Sequence, residues 1–482
     1  MNLAETIRQT PISGTGHPAA ESGPRHTRCG EAEVLHADVV VIGAGPAGMA
    51  AAATASGAGA SVLVLECGSR TGGNAVRSNG YLAFVDDDAD AREAFVADAR
   101  AAFRTASQRY SLVWDEAAVR QFANQSATTY RILTNRGVRF GRRVARPEHS
   151  ADRIRAVVDP AMFGRAYEAD FARPGIRTEL GVRAERLVVE AGRVVGVNAH
   201  RRASGIPLQV GVSRSVVIAT GGFQAGHKLR ERYQSPVEAQ SPYYGTADCR
   251  GDGHLMGESV GGHLVNMNYL PPTVLAASTV AENAIAVNCD GVRFHDETGS
   301  FAGRVAALRA QTDRRAWFVL AEDAARSHAY LIEQMPQPPV RAGSVAELAR
   351  AIGVPADGLT ATVRQWNDFL ASSATIDPQF GRTALPQDRR TLGSALVAVP
   401  MVEGVNFSCG GFRTTPRMQV VDGVGTAIPG LYAAGDTTAG LNAAAGMVGL
   451  HISGAFTQGR IAGKSAAEEE VNSYAAWRCA AC

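Results

Sequence analysis

The stretch Asp38–Glu66, DVVVIGAGPAGMAAAATASGAGASVLVLE, constrains the fold of this chain more than any other part of it. A short apolar run comes first and predicts a buried parallel strand, and glycines at 43, 45 and 48 follow it in G-x-G-x-x-G spacing. An alanine-rich segment then predicts a helix, and Ser61–Leu65 predicts a second strand that ends at Glu66. In this order the glycines permit a tight turn, the approach of a pyrophosphate and close helix–strand packing. Because Glu66 stands where a carboxylate accepts hydrogen bonds from a ribose, we favour a dinucleotide site over a glycine-rich loop of another α/β protein.

Length and composition narrow the class of protein. A chain of 482 residues is long enough for more than one domain, and its 20% charged and 45% hydrophobic residues are ordinary for a globular protein. The net charge of +2 gives no reason to expect nucleic acid or an anionic membrane as a partner, and no apolar run is long enough to span a membrane. Residues 1–36 lack the apolar core of a signal peptide and are interpreted as a loose tail. A cytoplasmic location is therefore expected.

The cysteines argue against a metal centre. There are seven, and they are scattered singly except for Cys479 and Cys482 in the terminal C-A-A-C. One such pair cannot complete a metal shell, and an odd count without further C-x-x-C pairs is typical of a reducing compartment. We expect no iron–sulfur or zinc site.

Strands and turns are predicted over much of the first half of the chain. Residues 89–135 carry apolar positions at three- and four-residue spacing, which predicts helices. The segment RLVVEAGRVVGV predicts a hairpin, and SVVIATGGF predicts a buried strand whose final glycines leave room for a ligand or another backbone. The loop Cys67–Tyr81 suits a backbone that passes close to a flat cofactor, although a polar surface loop has the same composition. Gly251–Gly262 predicts a turn that opens an amphipathic helix.

The composition changes between about Asn268 and Phe407, where arginine, glutamine and proline become more frequent. Two helices are predicted after the break MPQPPV, the first with Ser344 three residues before Glu347 in capping-box spacing. This middle block is interpreted as an inserted domain. The last block returns to glycine-rich α/β sequence, with a strand predicted at Gly430–Gly435, a loop at Asp436–Ala445 and a long helix from Gly446.

Four separated stretches together resemble the FAD-dependent oxidoreductases of the fumarate reductase / succinate dehydrogenase flavoprotein family. They are VVVIGAGPAGMAAA…LVLE, SVVIATGGF, the pair IAVNCDGVRFHDE and VAELARAIGV…LTATVRQWNDF, and GLYAAGDTTAG…GRIAG. The resemblance runs from about Ala37 to Ala467 and is nearest the branch that contains tricarballylate and 3-ketosteroid dehydrogenases. It implies an α/β, glutathione-reductase-like (Rossmann-type) FAD-binding domain in two segments, residues 37–268 and 408–467. An α+β capping domain, residues 269–407, would be inserted between them, and residues 468–482 would form a second tail.

The resemblance implies FAD, held by residues from both segments. Relatives that tether the flavin covalently use a histidine at the position of Asn74, so noncovalent FAD is expected. The implied contacts are Gly43, Gly45, Pro46, Ala47 and Gly48 with the pyrophosphate, Glu66 with the adenosine ribose, Ala184 with adenine, Thr220 and Gly221 behind the pyrophosphate, Asn74, Ser78 and Gly80 beside the flavin, and Asp436 on the ribityl chain. Backbone N–H groups near Met447 and Val448 would face the flavin N1–C2=O edge. The implied cofactor set also includes Cys67, Gly72, Gly73, Asn79, Gly222, Asp252 and Gly435.

The chain departs from the family where fumarate reductases hold a dicarboxylate. The arginine that donates a proton in those enzymes falls on Phe301, and one substrate histidine falls on Phe407, before Ser408 and Cys409. A second histidine falls on or near Pro271, and the substrate arginine falls on Gly446. Losing four cationic groups together is hard to reconcile with burying two carboxylates, since each unpaired charge costs several kcal/mol. Fumarate and succinate are therefore not expected as substrates, and a more apolar pocket is predicted.

The reaction implied by the resemblance transfers a hydride between flavin N5 and a carbon next to a carbonyl, with proton transfer at the neighbouring carbon. A tyrosine, an arginine or water can handle that proton. The candidates are Tyr244, Tyr269, Arg304 and Arg413, with Tyr243 as a further tyrosine, while Tyr81, Phe301, Phe407, Ser408 and Cys409 would line the substrate pocket. Each candidate could instead be an ordinary packed tyrosine or a solvated arginine. His254, His263 and His451 are interpreted as core or surface histidines on predicted helices.

The function expected from the sequence is that of an FAD-dependent dehydrogenase or reductase acting on CH–CH bonds of a small molecule that is not a simple dicarboxylate. An oxidase of C–N or C–O bonds is an alternative, because the same hydride geometry serves amines and alcohols. A flavin-binding protein that has lost catalysis is another, because Phe301, Phe407 and Gly446 stand at positions without a catalytic side chain. With no fused haem, FMN or iron–sulfur module expected, the electron acceptor would be external: oxygen, a quinone or a protein.

Overall fold

The structure, a computed structural model, describes residues 27–29, 32–78, 80–157, 159–271, 273–274, 278–333, 335, 337–441 and 447–471. The strands are β1 (Thr27–Cys29), β2 (Ala32–Ile42), β3 (Val62–Glu66), β4 (Tyr81–Ala83), β5 (Phe140–Val144), β6 (Ile154–Val157), β7 (Ile176–Leu180), β8 (Val182–Glu190), β9 (Arg193–Arg201), β10 (Pro207–Ile218), β11 (Leu264–Val265), β12 (Thr273–Val274), β13 (Ala284–Asn288), β14 (Ala316–Ala321), β15 (Val340–Ala342), β16 (Leu396–Pro400), β17 (Glu403–Gly404), β18 (Gly411–Phe412), β19 (Gln419–Val421) and β20 (Ala427–Ala433). The helices are α1 (Pro46–Gly57), α2 (Ala89–Ser107), α3 (Glu116–Asn135), α4 (Met162–Phe171), α5 (His227–Tyr233), α6 (Pro236–Ala239), α7 (Asp252–Glu258), α8 (Ser278–Glu282), α9 (Phe301–Arg309), α10 (Glu322–Ser327), α11 (Ala329–Ile332), α12 (Val345–Ile352), α13 (Ala356–Ala371) and α14 (Leu450–Ala467).

The central sheet has the strand order β19-β20-β10-β2-β3-β7. Strands β20, β10, β2, β3 and β7 run parallel to their neighbours, so their carboxyl ends share one edge of the sheet. Strands β8 and β9 form the predicted hairpin, and β9 joins the sheet through β10. Residues from both ends of the chain therefore build one sheet. Its centre, residues 39–42 of β2, 62–65 of β3 and 216–218 of β10, is continuous buried valine, isoleucine and leucine, as is typical of parallel sheets.

Strand β2 begins inside the predicted tail. The prediction that residues 1–36 form a loose tail is wrong for residues 32–36, because Glu33 to Ala37 pair in register with Leu208 to Val212 of β10. Leu35 is fully buried and seals the core beneath the hairpin. With only Val34 and Leu35 strongly apolar, between Glu33 and His36, this segment carries too little local signal to be separated from a polar tail.

Helix α1 and helix α14 pack face to face on one side of the central sheet. A Cβ atom added at Gly459 would lie 2.1 Å from the carbonyl oxygen of Ala47, and one added at Gly463 would lie 2.2 Å from that of Ala51. Both glycines are needed because the two helix backbones touch. The long final helix begins at Leu450, after Gly449 in the left-handed region (φ +86°), and the predicted start at Gly446 lies outside the described residues.

A second, antiparallel sheet occupies the middle block, in the order β13-β14-β16-β15. Helices α12 and α13, the two helices predicted there, pack on one face, and α8 to α10 cover the other. The Ser344 hydroxyl accepts a 3.2 Å hydrogen bond from the Glu347 backbone N–H, as the capping spacing predicts. The Glu347 carboxylate, however, accepts from Gly343 N rather than from Ser344.

Among the described residues, no helix has the length and apolar character needed to cross a membrane.

Candidate active site

A cleft that is partly open to solvent lies at the carboxyl ends of the parallel strands. Its walls come from the glycine-rich turn before α1, the end of β3 and the loop after it, the start of β8, the end of β10, the N-terminus of α7, the end of β20 and the start of α14. In open parallel sheets this edge is where ligands bind.

The glycine-rich turn fits a pyrophosphate. Gly43 has φ +101°, and a Cβ atom there would lie 2.4 Å from the Ala219 carbonyl oxygen. A Cβ atom at Gly48 would lie 1.8 Å from the Gly43 oxygen, so the third glycine lets α1 approach the turn. At Gly45 the nearest such neighbour is Gly73 Cα at 4.0 Å, so the start of α1 opens into the cleft. The N-terminal N–H groups of that helix are the donors that bind phosphate.

Glu66 is held rigidly at the end of β3. Its Oε2 accepts a 2.7 Å hydrogen bond from Ala44 N, and its Oε1 accepts one of 2.6 Å from Gly68 N. Each carboxylate oxygen keeps a lone pair that a ribose hydroxyl can use. Burial and the neighbouring Glu66 raise the pKa of the Cys67 thiol to about 12, so this cysteine stays protonated.

Asn74 ties the loop after β3 to the residues before α7. Its amide nitrogen donates to the Tyr243 hydroxyl at 3.1 Å and to Cys249 Sγ at 3.3 Å, and its amide oxygen accepts from Thr246 N at 2.8 Å. Burial raises the pKa of Cys249 to about 11. Asn74, Thr246 and Cys249 all line the cleft and add neutral polar groups to this end of it.

Asp436 and His451 are in direct contact at the same end of the cleft. The imidazole Nδ1 lies 2.8 Å from Asp436 Oδ1, and the ring of His451 packs on Phe407 with centroids 4.1 Å apart. Both Asp436 and His451 line the cleft. The sequence interpretation of His451 as a core or surface histidine missed this contact, because residues 15 positions apart carry no spacing signal.

Most of the predicted cofactor residues line this one cleft. Those that do are Gly43, Gly45, Pro46, Ala47, Glu66, Cys67, Gly73, Asn74, Ala184, Thr220, Gly221, Asp252, Gly435 and Asp436. Those outside its lining are Gly48, Gly72, Ser78, Gly80, Gly222, Met447 and Val448. Asn79 lies outside the described residues.

A second group of polar residues joins the central unit to the middle block. The Tyr81 hydroxyl donates a 2.8 Å hydrogen bond to Glu282 Oε1, and Arg146 forms an ion pair with the same carboxylate. The guanidinium of Arg146 also lies over the Tyr81 ring, 5.2 Å from its centroid. Next to it, His149 bonds the Val448 carbonyl at 3.0 Å through Nε2, and burial lowers the pKa of His149 to about 4.

The residues of this second group surround Arg304, a catalytic candidate that lies one helical turn after Phe301 on α9. It is 4% exposed, and its Nε has no hydrogen-bond partner among the described residues. The guanidinium lies 4.9 Å from the Phe301 ring centroid. Burial, and then the nearby Arg146, lower the pKa of Arg304 to about 10, so it remains charged at neutral pH. Burial raises the pKa of Glu148, the nearest opposing carboxyl, and its Oε2 has no partner either.

The other catalytic candidates are placed differently. Tyr269 is buried against Tyr110 and beside Cys409, and burial raises its pKa. Tyr244 is half-buried, and its N–H donates to the Val405 carbonyl. Arg413 is exposed. The structure does not bring these three together with Arg304.

The structure also places the residues predicted to line the substrate pocket in different surroundings. Tyr81 and Phe301 belong to one apolar cluster, which includes Met447 and Val448. Phe407 contacts His451, Cys409 is fully buried beside Tyr269, and Ser408 uses its hydroxyl to accept from Phe223 N at 2.8 Å.

Buried charge lies beside two of the residues that were predicted to line an apolar pocket, Tyr81 and Phe301. Arg146 and Arg304 both lie beside Tyr81 and Phe301, and sequence reasoning missed Arg146, Glu148 and Glu282 altogether. Arg146 and Glu148 belong to the segment ARPEHS, which has neither periodicity nor a motif. Only the folded chain shows that it meets α8 and α9.

Comparison with known proteins identifies the class that this fold and cleft define. The family model described as "FAD binding domain" matches residues 38–450. The chain belongs to this family, and FAD is its cofactor.

Relatives and solved structures agree with the family. The chain is 29% identical over 515 residues to NADH:acrylate oxidoreductase of Vibrio harveyi, covering 89% of this chain but about half (50%) of that protein. The open conformation of a flavocytochrome c3 fumarate reductase superposes with a TM-score of 0.69 at 26% identity, over 90% of this chain and 78% of that one. A 3-ketosteroid-Δ4-(5α)-dehydrogenase from Rhodococcus jostii RHA1 superposes with a TM-score of 0.62 at 27% identity, over 90% and 97%. These comparisons confirm the resemblance found in the sequence, which is to a branch of the family near the ketosteroid dehydrogenases.

Proposed function

We propose that the protein is an FAD-dependent dehydrogenase or reductase that acts on a CH–CH bond next to a carbonyl or carboxyl group. The observation that carries the proposal is Arg304, a guanidinium 4% exposed with an unpartnered Nε, beside Phe301 where α9 meets the central unit. A buried cation without an acceptor is costly unless a ligand completes it. The similarity to an acrylate oxidoreductase, a fumarate reductase and a ketosteroid dehydrogenase supports the same class of bond.

Bound FAD supplies the hydride acceptor or donor in this class of reaction. The chain's own part is to hold it, and the proposal assigns that work to the cleft residues, with the pyrophosphate at Gly45 and the start of α1 and a ribose at Glu66. We infer that the cofactor is noncovalent. In support, the Asn74 amide carries no nucleophile and is already bonded to Tyr243, Cys249 and Thr246.

The middle block, 269–407, is proposed to cap the cofactor. Glu282 from this block takes hydrogen bonds from Tyr81 and Arg146, which belong to the central unit. These contacts would fix the cap against the remainder of the site. A closed junction also excludes water, which strengthens every charge–dipole interaction inside it.

Within that junction, Arg304 is proposed to bind the oxygen that activates the substrate and to handle the proton at the neighbouring carbon. Arg146 is less suited to this role, because its charge is already balanced by Glu282. A guanidinium whose pKa is about 10 can donate a proton more readily than an ordinary one. Tyr244, Tyr269 and Arg413 are left as weaker candidates.

The substrate is proposed to carry no more than one anionic group at this junction. Phe301 and Phe407 stand where a second carboxylate would need a cation, and among the described residues around them Arg304 is the guanidinium without an ion pair. A simple dicarboxylate would therefore bury one unpaired charge. The electron acceptor is proposed to be a separate molecule.

The test is anaerobic mixing of the FAD-loaded protein with enones, saturated ketones and unsaturated monocarboxylates while flavin absorbance is followed. We expect at least one of these classes to bleach the oxidised cofactor or reoxidise the reduced one. Arg304→Met should lower the rate at least a hundredfold and Arg304→Lys less, while Arg364→Met, an exposed control on α13, should leave it unchanged. Peroxide formed stoichiometrically from an amine or alcohol, with no response to any of the three classes, would replace this proposal with a C–N or C–O oxidase.

A further inference from the structure

A second pocket lies outside the cofactor cleft, between α5, α6 and the segment that follows β10. Arg230 of α5 and Gln224 of that segment line it, and they are 5% and 1% exposed. The function proposed above uses neither residue. Tyr243 also lines this pocket, and its hydroxyl accepts a 3.1 Å hydrogen bond from Asn74, which lines the cofactor cleft. A single tyrosine therefore connects the wall of this pocket to the wall of the cleft.

Arg230 is a buried cation whose hydrogen-bond acceptors are all neutral. Its Nη2 donates to the carbonyl oxygens of Glu238 and Ser241, both at 2.7 Å. Its Nη1 donates to the Gln224 carbonyl at 3.3 Å, and its Nε donates to Gln234 Oε1 at 3.3 Å. Burial lowers the pKa of Arg230, and no carboxylate of the described residues acts against this effect. Because a guanidinium has five N–H groups, one on Nη1 is left over, and the buried charge lacks a counter-ion.

The hydrogen bonds of this cluster leave donors, not acceptors, unused. A guanidinium can only donate, so the amide atom of Gln234 that faces Arg230 is its oxygen. The amide nitrogen of Gln234 then donates to Gln224 Oε1 at 3.4 Å. This contact fixes the Gln224 amide as well, and its Nε2 is buried without a partner among the described residues. The two residues that line the pocket, Arg230 and Gln224, therefore both keep N–H groups for a ligand.

We propose that this pocket binds a small oxyanion, the carboxylate or phosphate group of a small molecule, at Arg230 and Gln224. Guanidinium N–H groups form short, strong hydrogen bonds with both kinds of anion. The oxyanion supplies the negative charge that Arg230 lacks and accepts the hydrogen bonds that the cluster leaves over. A water molecule accepts from the same donors but leaves the charge of Arg230 unbalanced. The proposal concerns a site apart from Arg304 and requires no particular reaction at the flavin.

The remaining side chains of the pocket agree with an anion at its inner end. Glu231 is the acidic side chain among the lining residues, and both it and His227 are exposed. Solvent and salt screen the repulsion from an exposed carboxylate, whereas the buried Arg230 is screened much less. Pro236 and Ala239 add apolar surface to the wall. An oxyanion at Arg230 therefore leaves the body of its small molecule against the outer part of the pocket.

The test is isothermal titration calorimetry of the FAD-loaded protein in Tris chloride at pH 7.5, with acetate and inorganic phosphate titrated separately. We expect at least one of them to bind, and the two arms show which anion the pocket takes. In Gln224→Glu the new carboxylate lies beside Arg230 and takes the place of the ligand, so the affinity should fall at least tenfold. Gln224→Met, which removes the donors without adding charge, should lower it severalfold. Gln337→Glu, exposed in the middle block, adds the same charge outside the pocket and should bind like wild type.

Arg304→Met separates this pocket from the proposed active site, because binding at Arg230 should be unchanged in that variant. Binding that is lost in Arg304→Met and kept in the Gln224 variants would overturn the inference. So would a wild-type protein that binds neither anion, a result that needs no variant. If Gln224→Glu does not fold, an unchanged affinity in Gln224→Met decides against the pocket. A protein that binds the anion at Arg230 while its flavin ignores every enone, ketone and carboxylate would sink the proposed reaction and leave this inference standing.

Discussion

Glu282, at the end of α8, accepts a 2.8 Å hydrogen bond from the hydroxyl of Tyr81, at the start of β4. The bond joins the middle block to the central unit, and the same carboxylate neutralises the buried Arg146. Burial, and then the charge of Glu282, raise the pKa of Tyr81, so its hydroxyl stays a donor at every pH at which the protein is folded. Glu282 therefore joins the middle block to the central unit and also balances the charge of Arg146, next to Arg304.

Removing the charge of Glu282 should destabilise the protein far more than removing an exposed charge. In Glu282→Gln the guanidinium of Arg146, 6% exposed, loses its counter-ion, which costs about 3–5 kcal/mol for a buried pair. Tyr81→Phe, which removes one hydrogen bond, should cost about 1 kcal/mol. Urea unfolding at pH 7 measures both.

The matched control for Glu282→Gln is Glu93→Gln. Glu93 pairs with Arg120 on the surface, where both side chains are largely exposed, so its loss should leave the free energy of unfolding nearly unchanged. Equal free energies of unfolding for the two variants would show that Arg146 does not depend on Glu282.

Acid should weaken the middle block through Glu297. This fully buried carboxylate accepts from Arg293 Nε at 2.7 Å, from Arg382 Nη1 at 2.7 Å and from Ala286 N at 2.9 Å. Burial raises its pKa, but the bonds to Arg293 and the charge of Arg382 prevail and lower it to about 2. Because the folded pKa lies below the unfolded value of about 4.3, this stabilisation is complete above pH 5 and is lost as the pH falls through 4 toward 2.

Glu297→Gln should remove that acid dependence as well as stability. At pH 7 the variant should lose about 3–5 kcal/mol, because the buried Arg382 then loses its ion pair with Glu297 and the buried Arg293 keeps only Asp377, at 2.7 Å. Between pH 5 and pH 3 its stability should fall less steeply than that of wild type, which unfolding by urea at each pH measures. Parallel stability curves would contradict the assignment of the acid sensitivity to Glu297.

The sequence predicted the cofactor half of the site well and the substrate half poorly, for a physical reason. In Asp38–Glu66 the strand, turn, helix and second strand are contiguous, so local spacing alone sets the cleft geometry. The pair of helices at 345–371 was predicted because each helix carries its own apolar face. Arg146, Glu282 and Arg304 meet only after a central unit and a middle block have folded against each other. Arg304 was a candidate from its spacing to Phe301, but its burial and missing ion pair depend on residues 140–150, where nothing in the sequence indicates a contact.

His451 shows the same limit at shorter range. The turn after β20 and the start of α14 are close in sequence, yet the bond to Asp436 depends on where Gly449, at φ +86°, ends the loop and starts the helix. The prediction placed the helix start at Gly446, four residues before Leu450, and so gave no information on where the chain enters the helix or on which way His451 faces. An error of a few residues in a helix boundary is therefore enough to hide a site residue.

The third glycine of the fingerprint gives the most direct test of the cofactor site. In Gly48→Ala the new Cβ would lie 1.8 Å from the Gly43 oxygen and 2.9 Å from the Gly43 carbonyl carbon, backbone atoms that cannot rotate away. The turn and the start of α1 must separate, which removes the donors aimed at the pyrophosphate. We expect the variant to be purified with less than a tenth of the wild-type flavin content, measured by absorbance after release of the cofactor.

The matched control is Gly57→Ala, in the last turn of the same helix, where nothing lies within 4 Å of the added Cβ. It should keep full flavin content and gain about 0.5–1 kcal/mol of stability. Full flavin loading of Gly48→Ala would mean that the cofactor is not held at this turn.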